Sequence, residues 1–246
     1  VKLFSYVSIV LLATTSVFAQ EQNKEEWKAN AGMSGILNSG NAVNQTIGGN
    51  ALVSVKRGMN QVSWNGSGAY GRAKDNATGV TSTNTENWQT QLRYDRFLSN
   101  RVSLFTLAHM RHDAPAGFDL NYGGAAGVAH ILVKTDPTMF KYELGFDVTR
   151  QKFVTLVKET AYSARLFLQF THKFTETAFL GQDMENLFNV QDSQDYRINS
   201  LTSLNFKLTQ KVAFQAGYAI RFDNQPVAGF KKVDTTTQFG LNVNFL

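Results

Sequence analysis

Cysteine is absent from the chain, so neither disulfides nor thiolate-held metals contribute to it. Proline is scarce, limited to Pro115, Pro137 and Pro226. Beyond residue 19 no apolar run approaches the roughly 20 residues that a membrane-spanning helix needs. The longest, GGAAGVAHILV (Gly123–Val133), is glycine-rich and interrupted by His130. Blocks of like charge are missing, so a formal net charge of +5 does not point to nucleic acid. No Pro/Ser-rich linker or low-complexity stretch divides the chain. Helical periodicity is equally hard to find.

At the N-terminus Lys2 precedes the apolar stretch LFSYVSIVLLATTSV, and Val17-Phe18-Ala19 supplies small residues before an abruptly polar Gln20–Glu26. This pattern predicts a signal peptide over residues 1–19, cleaved after Ala19. The rest, residues 20–246, reads as a single domain.

What fills that domain is alternation with a period of two, the signature of strands with two unlike faces. Trp27, Ala29, Ala31, Met33, Gly35 and Leu37 form one apolar set against Lys28, Asn30, Gly32 and Ser34. The same scheme returns through Tyr162–Phe170, Tyr196–Leu208 and Val212–Phe222, and closes with TTQFGLNVNFL (Thr236–Leu246). Twelve strands are predicted, one of them weak, near Ala178–Met184. Most run well past the usual five or six residues, a length suited to a tilted membrane crossing.

The connections alternate in length. Short turns lie near Gly58, Asn100, Asp136, Phe174 and Gln210, at nearly equal intervals. Longer polar connections are expected at Ala73–Thr85, Asp113–Gly117, Gln151–Glu159, Glu185–Asp195 and Asp223–Val233, with a brief one at Asn38–Asn44. Every proline falls in a connection, where its missing N–H harms no ladder. An even strand count with alternating short and long connections is the pattern of an outer-membrane β-barrel. Lipid offers no partner to a free strand edge, so the last strand must pair with the first. The fold class predicted is therefore all-β, a twelve-stranded antiparallel up-and-down transmembrane barrel in the bacterial outer membrane. A soluble sandwich or lipocalin-like barrel would also alternate. Against it stand aromatic residues near strand ends and an opposite face too polar for a core, such as Gln61, Ser63, Asn65 and Ser67.

The stretch WKANAGMSGILNSGNAVNQTIGGNALV (Trp27–Val53), followed by LRYDRFLSNRVSLF (Leu92–Phe105), resembles a bacterial family numbered 481 among domains of unknown function. Its members carry the label of salt-induced outer membrane proteins. The resemblance implies an outer-membrane β-barrel with no assigned reaction, and a link to salt or osmotic stress. Outer-membrane barrels usually end on an aromatic residue read by the barrel-assembly machinery, whereas here Phe245 stands one place before the end.

With the apolar alternates turned to outer-membrane lipids, the lumen receives Lys28, Lys56, Arg93, Arg111, Lys141, Arg165, Arg197, Lys207 and Arg221, with Asp95, Asp119, Glu143, Asp147 and His109. The excess of base predicts a small passive pore mildly favouring an anionic or polar solute, if arginines stand unpaired. The plainer reading pairs Glu143, Asp147 and Asp95 with Arg165, Arg93 and Arg111, giving a polar plug that holds the barrel's shape and a structural envelope protein. The segment HMRHD suggests a third reading, an outer-membrane hydrolase or acyltransferase with a rim site at His109, Arg111 and Asp113; no serine on the same face completes it, and one would have to come from a neighbouring strand. A fourth is adhesion through the outer loops. No catalytic, metal or cofactor site is predicted. His109 and His112 point to opposite faces of a strand, acids in QDMEN and DSQD read as a solvated loop, and YGGAAG lacks the lysine and helix of a phosphate cradle.

Overall fold

The computed structural model describes residues 25–38, 43–74 and 79–245; the predicted signal peptide lies outside them. Twelve strands form one antiparallel ring: β1 (Glu26–Asn38), β2 (Val43–Arg57), β3 (Asn60–Lys74), β4 (Thr81–Phe97), β5 (Val102–Asp113), β6 (Phe118–Lys134), β7 (Thr138–Phe153), β8 (Lys158–Lys173), β9 (Ala178–Asn189), β10 (Tyr196–Lys207), β11 (Val212–Asp223) and β12 (Val233–Asn244). Each strand pairs with its sequence neighbours, and β12 closes the barrel on β1. The closure register sets Asn30 opposite Asn244, Met33 opposite Leu241 and Ser34 opposite Gly240. The Phe245 amide adds a further bond to the Ala29 carbonyl at 2.9 Å.

Alternation sorts the two faces. Trp27, Met33, Ile47, Trp64, Trp88, Leu92, Leu104, Leu144, Phe146, Leu204, Phe239 and Leu241 are exposed on the outside, as a lipid-facing surface requires. Aromatic residues ring this surface at two levels. Phe188, Tyr196 and Phe222 pack in line near the outer strand ends, with centroids 6.4 and 5.5 Å apart. Phe206, Phe214 and Phe239 do so nearer the inner ends, at 6.5 and 6.4 Å. Tyr196 and Phe206 cap the two levels on β10. At a rise of ~3.3 Å per residue and a tilt of ~40°, they stand about 25 Å apart in height, the thickness of an apolar band.

The strands are longer than their apolar cores suggest, reaching 17 residues in β4 and β6. Polar residues continue the ladder beyond the lipid, where alternation no longer marks them. The fourth and fifth outer connections accordingly shrink to residues 154–157 and 190–195. The clearest correction is β9, which runs to Asn189 rather than ending at Met184. Its lipid-facing Gln182 breaks the apolar pattern, and it is tolerated because it is satisfied locally. Thr202 donates to its Oε1 at 2.5 Å, and its amide donates to Ser200 Oγ at 2.9 Å.

Two glycines are needed where they stand. Gly58, at φ 55° in the β2–β3 turn, takes the left-handed conformation that tight hairpins favour. A Cβ on Gly127 in β6 would strike the Leu144 carbonyl of β7, so only hydrogen fits there.

Two outcomes test this architecture. Unboiled protein should migrate faster than boiled protein on a detergent gel, as a closed barrel does. Gly127→Val should lower the temperature at which that difference disappears, at an overpacking cost of about 1–3 kcal/mol.

Candidate functional site

The lumen is built from the inward alternates. Arg93, Asp95, His109, Arg111, Lys141, Glu143, Asp147, Arg165, Arg197 and Arg221 all lie on this face, and the fold gathers them into two clusters.

The lower cluster centres on Glu143, whose side chain is fully buried. It receives Arg93 from β4 at 2.9 Å, Arg165 from β8 at 2.9 Å and Lys141 from its own strand at 2.9 Å. Arg93 also grips Asp95 through two bonds of 2.7 Å, and Arg165 reaches Glu185 on β9 at 2.7 Å. The chain of charges Asp95–Arg93–Glu143–Arg165–Glu185 thus runs from β4 to β9. Phe105 of β5, 2% exposed, holds the guanidinium groups of Arg93 and Arg165 at 4.5 and 5.4 Å from its ring centre. Phe167 does the same for Lys141 and Arg165, at 5.5 and 5.2 Å. Cation–π contacts and carboxylates together compensate charges withdrawn from water.

The upper cluster lies near the outer mouth. Arg111 contacts Asp113 at 2.6 Å, and Arg221 contacts the same carboxylate at 2.9 Å. Arg221 is on β11 and Asp113 on β5, diametrically opposed in the ring, so this pair bridges the lumen. Arg197 lies 3.1 Å from Asp223 and donates to Gln151 at 3.1 Å. The Phe118 ring sits between Arg111 and Arg197, at 5.7 and 5.5 Å. His109 Nε2 meets Asp147 at 3.0 Å and Thr149 Oγ1 at 3.3 Å, while Thr149 donates to Asp147 at 2.5 Å.

Several expectations change here. The lumenal arginines do not stand unpaired: each of the five has a carboxylate partner. Of the pairings expected, Glu143 with Arg165 forms, and the other two differ. Arg93 takes Asp95 and Glu143, Arg111 takes Asp113, and Asp147 takes His109. Asp119 leaves the lumen, because the β6–β7 register shifts between Phe118 and Leu120 and its carboxylate pairs with Lys152 outside. Asp183 and Glu185, expected in an outer loop, instead enter the lumen with β9, where Gln169 donates to Asp183 at 3.0 Å. The inward aromatics Phe105 and Phe167 were also missed, although their strand parity marked them, while Phe118 is brought inward by the same register shift that turns Asp119 out. The His109 group lacks the arrangement of a proton relay, which uses both ring nitrogens: Asp147 and Thr149 share one, and the threonine proton already points to the carboxylate. Among the described residues no group of three potential metal ligands occurs.

The opposite wall is of another kind. β1, β2, β3 and β12 turn inward mainly Ser, Asn, Gln, Thr and Gly, including Ser34, Asn50, Asn65, Gln238 and Asn242. Asn50 and Gln238 are solvent-exposed although they face the lumen, whereas Glu143 and Gln151 across from them are 0% and 1% exposed.

A closed twelve-stranded barrel, apolar and aromatic-ringed outside and polar within, defines an outer-membrane protein of the porin fold. The chain matches the family described as "Protein of unknown function, DUF481" over residues 29–245, and it belongs to that family. Its fold is similar to that of the NanC porin, with a TM-score of 0.54 at 11% identity over 88% of this chain and 98% of that one. The KdgM porin is more distant in shape, with a TM-score of 0.45 at 10% identity over 90% of this chain and 100% of that one. At such identities the likeness is one of fold. No curated protein matches the chain in sequence.

Replacing Glu143 with Leu should destabilise the barrel by about 3–5 kcal/mol, because it leaves buried cations uncompensated. Adding Arg165→Leu should recover part of that loss. Urea unfolding in detergent, arranged as a double-mutant cycle, measures both.

Proposed function

We propose that the protein is a passive channel for small polar solutes, with water and solute following the neutral wall of the lumen. One observation carries this reading: Asn50 and Gln238 on that wall are exposed to solvent, while Glu143 and Gln151 on the wall opposite are fully buried. The porin fold supports it. The lower cluster then acts as a buttress that narrows the passage, and the Asp113–Arg221 bridge as a bar across its outer mouth.

A mild preference for anions follows from different residues than the arginines. Lys28, Lys56 and Lys207 take inward positions near the periplasmic ends of β1, β2 and β10. Among the described residues none of them has a carboxylate within 4.0 Å. Lys56 instead lies 5.0 Å from the Phe97 ring centre. Glu26 is the acid on the same register, so the excess of positive charge is modest. Like charges gathered at a mouth bias the ions that enter. The salt or osmotic link in the family label is a separate part of this proposal; a deletion strain should grow more slowly than its parent on raised salt.

Planar-bilayer recording tests the channel. Stepwise current with a small anion preference is expected, and its absence in repeated reconstitutions of heat-modifiable protein would reject the reading. Asp113→Asn should raise single-channel conductance by releasing the bar. Replacing Lys28, Lys56 and Lys207 together with Ala should bring the anion-to-cation permeability ratio toward unity.

A further inference from the structure

We infer that the outer rim of β6–β8 binds the phosphate groups of a phosphorylated glycolipid from the outer leaflet. The outward positions of β7 read Phe146, Val148, Arg150 and Lys152 toward the cell exterior. Phe146 and Val148 are exposed to lipid, with Tyr122 and Tyr162 beside Val148 and Arg150 at the aromatic level. Above that level the surface turns basic. Arg150 sits between Tyr122 and Thr160, and Lys152 directly faces Lys158.

A like-charge pair directly opposed across strands is destabilising unless something neutralises it. Asp119 does so for Lys152 alone. Arg150 and Lys158 are exposed and, among the described residues, have no carboxylate within 4.0 Å. Glu159 neighbours Lys158 in sequence but pairs with Gln151 on the inward register. Two uncompensated cations and a half-compensated third therefore stand at headgroup height on the lipid side of the wall. A guanidinium forks naturally onto phosphate oxygens, while an ammonium adds a point charge. Below them the apolar wall of Leu144, Phe146 and Val148 fits acyl chains. An anion with fatty tails satisfies both halves, and in the outer leaflet of this membrane that lipid is a phosphorylated glycolipid. The inference rests on the barrel's placement in the outer membrane and is independent of whether the lumen conducts.

The test uses the purified barrel in nonionic detergent, with native mass spectrometry reading bound lipid. The probes are bisphosphorylated lipid A, the same lipid dephosphorylated, and phosphatidylglycerol. The wild type should retain the bisphosphorylated form preferentially. The double substitution Arg150→Ala with Lys158→Ala should weaken that binding roughly tenfold or more. A control pair on the periplasmic turns, Arg101→Ala with Lys134→Ala, should leave it unchanged. Both variants must keep the boiled-to-unboiled gel shift, which separates lost binding from lost folding; if the alanine pair fails to fold, Arg150→Gln with Lys158→Gln replaces it. Equal binding of the dephosphorylated lipid, equal binding of phosphatidylglycerol, or no loss in the rim variant would each overturn the inference.

Discussion

Backbone amides inside hydrocarbon have no water to turn to, and this one constraint organises the molecule. It requires every strand to have two neighbours, so β12 must return to β1 and remain paired to its end. Once the ring is closed, side chains have only two destinations. Those sent outward meet lipid, and those sent inward must share a narrow space where unpaired charge is costly. The apolar exterior and the dense ion pairing of the interior are thus two results of the same closure.

The inside is not uniform, and the difference between its walls is a matter of volume as well as charge. From β4 to β9 the inward positions carry long side chains that interlock through Glu143, Phe105 and Arg165. Around β12 to β3 they carry mainly uncharged Ser, Thr, Asn, Gln and Gly. Small inward residues on β6, such as Ala125 and Ala129, both buried, accommodate the large ones of the neighbouring strands.

Much of the fold was legible because a period of two is a local signal. Each of the twelve strands reports its own faces, and the inward set from Arg93 to Arg221 followed from parity alone. The signal failed where the local rule has exceptions. Gln182 sits among lipid-facing residues yet is satisfied by Thr202 and Ser200, which hid half of β9 and with it the inward Asp183 and Glu185. A register shift turned Asp119 out. The partners of the arginines were beyond reach for a different reason. Arg93 meets Glu143 across 50 residues of sequence and Arg221 meets Asp113 across 108, and such meetings depend on strand tilt and curvature, which no single segment encodes.

The Arg221–Asp113 contact joins opposite points of the circumference, as a tie rod joins two sides of a vault. A hydrogen-bonded cylinder is stiff along its strands but flattens easily in cross-section. A strut across its width therefore acts on the direction in which the cylinder is softest. With the Arg197–Gln151 bond from β10 to β7, the pair resists such flattening at the level where it stands.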